Sequence, residues 1–313
     1  MLLTDYFRSE KDATWDIARQ CGVKYGVIRL PETGDFDYTD PRHWETVYKH
    51  FTDYGIIPKL LEPMPNELHD HIKTGDAHRD ASIEKVLSMF PIMQRLGIDT
   101  ICFNFMAYVG WTRTNYHLPE RGGAYVTGFD PKDYHPTADA ISEEELWEHY
   151  TYFIKAVLPE AERYGIKLAL HPDDPPVSRL GNVSRIMTSA KNMKKAIYDI
   201  CPSDMLGITM CQATFYIMGE NLDQVIRDFA DKIFFIHFRN TAGTLAGYRE
   251  TFHDNGSLNM RHLINLYEEL GIDVPIRVDH VPTLKGEHTE TEGYAALARL
   301  FAIGYLKGLL EKG

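Results

Sequence analysis

The sequence predicts an α/β protein that folds as one (β/α)8 barrel. Predicted strands and helices alternate along the chain in seven or eight βα units, and no linker or shift in composition interrupts them. Strict alternation favours a parallel sheet, and 313 residues are enough for a barrel of the usual size. An open doubly wound sheet is the alternative, but no GxGxxG motif follows the early strands. We therefore expect a single domain over residues 1–313.

The predicted strands are short apolar stretches, each ended by glycine, proline or polar residues. They cover residues 1–7, 23–30, 57–62, 100–106, 167–170, 206–210, 232–236 and 274–278. The predicted helices cover residues 13–22, 44–54, 81–96, 142–164, about 182–200, 221–230, 258–270 and 292–310. Ser142 and Glu145 have the spacing of a capping box at a helix start. The polar stretches 63–80 and 238–256 are predicted to be loops.

Charge and composition exclude several classes of partner. The formal net charge is −12, from 33 Lys+Arg and 45 Asp+Glu, so we expect neither nucleic-acid binding nor attachment to an anionic membrane. An anionic small substrate would need a local cation or a metal ion. The four cysteines form no CxxC pair and the N-terminus has no apolar targeting segment. We therefore expect a cytoplasmic protein with free thiols.

Four metal-binding residue types lie at or just after the ends of four consecutive predicted strands: His171, Cys211, His237 and Asp279. Each one alone has a plain structural interpretation, such as a buried apolar cysteine. In a barrel, however, all strand carboxyl ends open on the same face. Two imidazoles, a thiolate and a carboxylate at one mouth predict a site for a divalent transition metal, with Mn²⁺, Fe²⁺, Co²⁺ or Zn²⁺ preferred over Mg²⁺.

Other polar residues near these strand ends are candidates for contact with substrate or for proton transfer. His280 follows Asp279 directly, and Tyr294 lies near the predicted last helix, so both are candidate acids or bases. Core packing is the alternative for Tyr294. Asp173 follows His171 within a proline-rich loop, where it is expected to orient His171 or to bind hydroxyl groups. Arg239 is placed to pair with a carboxylate.

Six motifs along the chain resemble the mannonate dehydratase family. They are FNFMxxxxWTRT at 103–114, HPDDPP at 171–176, HFRN at 237–240, FH at 252–253, RxDH at 277–280 and GY at 293–294. The resemblance implies a xylose-isomerase-like TIM barrel that removes water from D-mannonate to give 2-keto-3-deoxy-D-gluconate, with Mn²⁺ as the usual metal. It places the metal on His171, Cys211, His237 and Asp279, and proton transfer on His280 and Tyr294. The candidate substrate-binding residues within these motifs are Asn104, Trp111, Arg113, Asp173, Arg239, Asn240, His253 and Arg277.

The chain departs from the family pattern at several positions. Where the family usually has Gly-Arg after the Asp-His pair, Val281 and Pro282 stand here, so an expected substrate-binding arginine is missing. The family's glutamate after Phe-His is Asp254 here. These changes leave open a related sugar acid or a keto-sugar as substrate.

Several other functions are compatible with the sequence. The alternatives are an isomerase or epimerase, a metal-dependent phosphodiesterase and a sugar-acid sensor without turnover. Self-association is expected only by analogy with other barrel enzymes.

Overall fold

A computed structural model describes residues 1–32 and 34–311, and eight parallel strands form a closed barrel within them. Strand β1 pairs with β2 on one side and with β8 on the other, which closes the ring. The barrel strands are β1 (Leu2–Phe7), β2 (Tyr25–Ile28), β3 (Ile57–Leu61), β4 (Thr100–Phe103), β5 (Lys167–Leu170), β6 (Leu206–Cys211), β7 (Ile233–Phe238) and β8 (Pro275–Val278). The predicted fold class is confirmed.

Ten α-helices are described in the two ranges that the structure covers, and most of them pack around the barrel. They are α1 (Ala13–Gln20), α2 (Pro41–Asp53), α3 (Asn66–Thr74), α4 (Arg79–Leu96), α5 (Glu143–Tyr164), α6 (Ala190–Lys194), α7 (Gln212–Ile217), α8 (Leu222–Asp228), α9 (Met260–Glu269) and α10 (Ala296–Leu310). The predicted capping box is present, because Ser142 and Glu145 exchange hydrogen bonds at the start of α5. Among the described helices, none has the length and apolar character that a membrane crossing requires.

The core has two parts that follow from the barrel geometry. The larger one lies between strands and helices, where α5 contributes Leu146, Phe153 and Val157. A smaller cluster fills the barrel itself, with the partly buried Tyr6 packed against it. Its buried members come from five of the barrel strands: Val27, Leu60, Cys102, Ala169, Phe234 and Phe235. This filling leaves the carboxyl ends of the strands as the open face.

Two predicted loops contain regular structure. Helix α3 occupies the middle of the stretch 63–80, and it buries Leu68 and Ile72 at a spacing of four residues. The stretch 238–256 contains strands Thr241–Thr244 and Gly247–Glu250. These two strands join strands Asn115–Pro119 and Tyr125–Phe129 in a four-stranded antiparallel sheet beside the barrel mouth, which we call the mouth sheet.

The helix predicted over about 182–200 is shorter than expected. Residues Asn182–Ser184 form a strand of a small three-stranded sheet with Ala140–Ile141 and Arg179–Leu180. Helix α6 begins only at Ala190, where the side chain of Ser189 accepts a hydrogen bond from Asn192 N. From Lys195 to Ile200 the chain continues as a π-helix.

Candidate metal centre and active site

The barrel register brings the four predicted metal ligands to one end. Cys211 is the last residue of β6 and is paired in register with His237 on β7. His171 follows β5 directly, and its backbone N–H donates to the carbonyl of Phe103 at 2.6 Å. Asp279 follows β8, and its N–H donates to the carbonyl of Phe238 at 3.0 Å. The ends of four neighbouring strands therefore present these side chains together.

His171, Cys211 and His237 offer ligand atoms that all lie within 4.8 Å of one another. Nε2 of His171 is 3.1 Å from Nδ1 of His237. Two imidazole nitrogens on one ion, each at about 2.0–2.1 Å, would lie roughly 3 Å apart. The donor set and its spacing thus fit a transition metal.

The outer contacts of the two imidazoles orient these nitrogens. Nδ1 of His171 lies 2.6 Å from the carbonyl oxygen of Pro172, so it carries the proton and leaves Nε2 as the free lone pair. Nε2 of His237 lies 2.9 Å from a carboxylate oxygen of Glu62, and this contact turns Nδ1 toward His171 and leaves it for the ion. Two lone pairs that face each other need a cation or a proton between them. The carboxylates of Glu62 and Asp279 outweigh burial and the nearby Arg277 and raise the pKa of His237, which favours that positive charge.

Cys211 is completely buried, which by itself raises the pKa of its thiol. The guanidinium of Arg239, 3.4 Å from the sulfur, and the imidazole of His171 overcome this effect, so the pKa lies well below its usual value. The thiolate is the form that binds metal. This cysteine is therefore electrostatically prepared as a ligand.

Asp279 completes the predicted set from a position between two arginines. Its Oδ2 is 3.6 Å from Nδ1 of His237 and 2.8 Å from Nε of Arg239, and its Oδ1 is 3.0 Å from Arg277. Burial raises the pKa of Asp279, but His280 and the two arginines have the larger, opposite effect. The pKa therefore lies well below its usual value and the carboxylate is charged. Each carboxylate oxygen has two lone pairs, so contact with an arginine leaves capacity for an ion.

Glu62 is a site residue that the sequence analysis did not single out. It follows β3, lies 2.9 Å from Nε2 of His237 and pairs with Arg277 through Nε at 2.9 Å and Nη2 at 3.1 Å. It thereby orients the imidazole of a candidate metal ligand, as carboxylates beside metal sites commonly do. The same strand-end rule that selected His171 applies to the carboxylate directly after β3. Glu62 is the last residue of the predicted strand 57–62, so its position at a strand end is visible in the sequence.

His280 and Tyr294 lie side by side at the barrel mouth, with ring centroids 5.3 Å apart. Nδ1 of His280 is 2.6 Å from Oε1 of Glu250, and the indole of Trp111 packs against the imidazole at 4.9 Å. The bond to Glu250 places the proton on Nδ1 and leaves Nε2 as the free nitrogen. Burial and the neighbouring Asp279 raise the pKa of Tyr294, so its phenol keeps its proton.

Glu250 also escaped the sequence analysis, because it lies on the mouth sheet within a stretch predicted to be a loop. Arg113 and Arg239 hold the same Oε1 atom at 2.6 and 3.0 Å. Both arginines also pair with Asp174, which accepts a further hydrogen bond from the hydroxyl of Tyr248. Burial raises the pKa of Glu250, and His280 and Arg113 lower it to about 2. A charged carboxylate is therefore fixed behind His280.

A cavity of about 420 Å³ opens over these residues. Its lining includes both predicted catalytic residues, three of the predicted metal ligands and part of the predicted substrate-binding set. Those lining residues are His171, His237, Asp279, His280, Tyr294, Asn104, Trp111 and Arg277. Helix α3 adds Asn66, Asp70 and Lys73, so the stretch 66–80 contributes to the cavity through a helix.

The other five predicted substrate-binding residues lie behind the cavity wall and are engaged with protein groups. Arg113 and Arg239 belong to the buried network around Asp174 and Glu250. Asp173 accepts from the backbone N–H groups of Ile186 and Met187. The remaining two support loops: Asn240 bonds to the backbone of His253 and Leu258, and Nε2 of His253 donates to the carbonyl of Phe238.

The family-specific position Asp254 lies at the surface. Its carboxylate pairs with Arg121 at 2.6 Å, and both side chains are partly exposed. Asp254 therefore lies outside the buried network, whereas Glu250, four residues earlier, belongs to it.

The chain is similar to known proteins over most of its length. The family model for D-mannonate dehydratase (UxuA) matches residues 16–139 and 132–312. A mannonate dehydratase of Streptococcus equi subsp. zooepidemicus is 32% identical over 290 residues, which cover 82% of this chain and 79% of that protein. Mannonate dehydratase 2 of Halalkalibacterium halodurans is 33% identical over 293 residues, which cover 82% of this chain and 83% of that protein.

Solved structures show the same relation. The crystal structure of mannonate dehydratase from Streptococcus suis serotype 2 superposes with a TM-score of 0.89 at 27% identity, over 99% of this chain and 92% of that one. A D-tagatose 3-epimerase-like protein superposes with a TM-score of 0.64 at 14% identity, over 99% of this chain and 97% of that one, which shows a shared fold alone. On the match of the family model and the two curated relatives, the chain belongs to the D-mannonate dehydratase family.

Proposed function

We propose that this protein is a hydro-lyase that converts D-mannonate to 2-keto-3-deoxy-D-gluconate. Family membership supports the reaction, and one observation of the structure carries it: three of the four candidate metal ligands and the His280–Tyr294 pair line one cavity. Dehydration of a sugar acid needs a base for the proton at C2 and an acid for the hydroxyl that leaves C3. Both types of group are present beside the candidate metal centre.

The metal ligands in this proposal are His171, Cys211, His237 and Asp279, and Mn²⁺ is the ion that the family resemblance favours. A bound divalent ion would polarise substrate oxygens and stabilise the negative charge that develops at the substrate. Arg239 and Arg277 keep Asp279 charged, and Glu62 orients His237. The chain thus supplies both the ligands and the groups that fix them.

His280 is the base in the proposed mechanism. Its Nδ1–H donates to Glu250 at 2.6 Å, so the lone pair on Nε2 is available to take the C2 proton. The charged Glu250 stabilises the imidazolium that forms. The electron pair of the C2–H bond becomes the C2–C3 double bond as the C3–O bond breaks.

Tyr294 is the acid. Its raised pKa means that the phenol holds its proton until the departing C3 hydroxyl takes it and leaves as water. The enol product then gains a proton at C3 and loses the one on the C2 oxygen, which gives the 2-keto-3-deoxy acid. The indole of Trp111 packs against the His280 ring at 4.9 Å and so limits the access of water to this pair.

The direct test is incubation of the Mn²⁺-loaded protein with D-mannonate and detection of the 2-keto-3-deoxy product. We expect product with the wild-type protein and none with Cys211→Ala. Formation of an epimer or a ketose without loss of water would instead support an isomerase. Absence of any product from fully metal-loaded protein would contradict the proposed substrate, and a panel of sugar acids would be the next step.

A further inference from the structure

One face of helix α3 forms a wall of the cavity that the proposed mechanism leaves without a role. Asn66, Asp70 and Lys73 are spaced by four and three residues, so they lie on the same side of the helix, and all three line the cavity. Nζ of Lys73 is 2.7 Å from Oδ1 of Asp70. This wall therefore presents an ammonium group at the candidate active site.

The burial of Lys73 is more than its pairing with Asp70 requires. The lysine side chain is 4% exposed, whereas the Asp70 side chain is 61% exposed. A comparable helix pair on α2, Lys49 with Asp53, lies in solvent with both side chains more than half exposed. Removing an ammonium group from water is costly unless an anion compensates it, and the mainly solvated Asp70 compensates it only in part.

Among the described residues that line the cavity, Lys73 differs from the other cations because more of its N–H donors remain available to a ligand. Arg277 is occupied by Glu62 and Asp279. On the wall formed by β1 and β2, Arg8 bonds to Thr291 and Arg29 to Glu32, and both arginine side chains are about one third to one half exposed. An ammonium group has three donors, and the contact with Asp70 uses one.

We propose that Lys73 binds the carboxylate of the substrate and so sets the preference for a sugar acid over a neutral sugar. This inference rests on the proposed function and names the protein group that reads the charge of the substrate. The buried Arg185 and Asp173 both act on Lys73 from the protein side, and their charges have opposite signs. The absence of an arginine at Val281 and Pro282, where the family resemblance led us to expect one, removes the competing cation beside His280.

The test compares Lys73→Met, which keeps the unbranched stem of the side chain but removes its charged end, with Lys73→Arg, which keeps the charge. For Lys73→Met we expect the KM for D-mannonate to rise at least tenfold while kcat changes much less. Lys73→Arg should recover most of the affinity. Lys49→Met serves as the matched control, because it removes a lysine from a helix pair at the surface, and its KM should equal that of the wild type.

Melting curves and bound-metal content of each variant separate a contact with substrate from a structural role. A loss of both kcat and thermal stability in Lys73→Met that Lys73→Arg does not rescue would overturn the inference, as would an unchanged KM. If Lys73→Met does not fold, Lys73→Gln replaces it with the same criteria. Wild-type protein without turnover would remove the proposed function and this inference together, whereas normal wild-type turnover with an unaffected Lys73→Met removes the inference alone.

Discussion

At the scale of single residues, the candidate active site depends on which ring nitrogen of each imidazole carries the proton. His280 donates to the buried Glu250, and Nε2 of His237 lies 2.9 Å from the carboxylate of Glu62. In both cases the glutamate fixes the tautomer and leaves the other ring nitrogen free for chemistry. The two glutamates therefore give otherwise similar histidines their different proposed functions, as base and as metal ligand.

The substitution Glu250→Gln tests the role of this orientation in catalysis. We expect kcat to fall about a hundredfold, in line with the usual contribution of positioned acid–base groups, because an amide no longer stabilises an imidazolium at His280. KM should change little, since Glu250 lies behind the histidine. Steady-state kinetics with D-mannonate measures both effects.

The matched control is Asp254→Asn, which neutralises an acidic residue four positions further along that pairs at the surface with Arg121. We expect wild-type kinetics from it. Equal kcat values for Glu250→Gln and the wild-type protein would show that His280 acts without the glutamate.

Metal binding gives the second test at this scale. Cys211→Ala removes a ligand, so we expect the affinity for Mn²⁺ to fall by more than the roughly 10- to 100-fold that loss of a supporting hydrogen bond costs. Elemental analysis after dialysis measures the bound metal. Cys201→Ala, at a partly buried thiol away from the cluster, should keep the wild-type metal content, and retention of metal by Cys211→Ala would contradict the ligand assignment.

Sequence patterns located the strand-end residues but not their partners. His171, Cys211, His237 and Asp279 could be predicted because a parallel barrel brings all strand ends together. Glu250 could not be predicted in this way, because its position depends on how a long connection folds back over the mouth. The engagement of Arg113, Asn240 and His253 with protein groups likewise follows from contacts between distant segments.

At the scale of secondary-structure elements, the mouth sheet determines where Glu250 lies. Strand Gly247–Glu250 pairs with Tyr125–Phe129, with Arg249 opposite Gly128. The sequence analysis predicted a loop here because short strands with glycine and threonine lack a clear apolar alternation. Helix α3 was overlooked for a related reason: its polar residues dominate the stretch, and its two buried apolar residues, Leu68 and Ile72, are few.

Gly128→Ala tests the contribution of the mouth sheet. A Cβ atom there would clash with the side chain of Leu118 and come within 2.9 Å of the carbonyl oxygen of Tyr248. The strand that carries Glu250 would have to shift, so we expect a several-fold lower kcat and a loss of stability of about 1–3 kcal/mol. Activity assays and urea unfolding measure the two effects.

Gly247→Ala is the control within the same sheet. The nearest atom to a Cβ at Gly247 is 3.8 Å away, an ordinary contact. Its kinetics and stability should match those of the wild type. If both variants behave alike, the position of the strand has no influence on catalysis.

At the scale of the whole molecule, alternation and length were sufficient to predict the closed barrel, because strict βα repetition admits few other architectures. The same pattern could not indicate which polar residues become core. His69 is the clearest case: in the sequence it belongs to a polar stretch, yet it is 1% exposed and packs against Phe103, Phe105 and Phe153. Within the described ranges, its Nε2 has no hydrogen-bond partner.

This burial links the stability of the whole chain to pH. Burial lowers the pKa of His69 well below 6.5, and it lowers the pKa of His253 to about 4. Below pH 6.5 the unfolded chain takes up protons at these positions while the folded chain does not, so the free energy of unfolding falls as the pH falls. Each group costs up to about 1.4 kcal/mol per pH unit in this window.

The substitution His69→Phe isolates one of these contributions, since His253 remains in both proteins. At pH 7 we expect stability equal to or about 1–2 kcal/mol above that of the wild type, because a buried polar atom without a partner is removed. Between pH 6.5 and 5 the variant should lose about 2 kcal/mol less than the wild type. Urea unfolding of the metal-free proteins at several pH values gives both quantities, and parallel curves for the two proteins would show that His69 takes up a proton in the folded state as readily as in the unfolded chain.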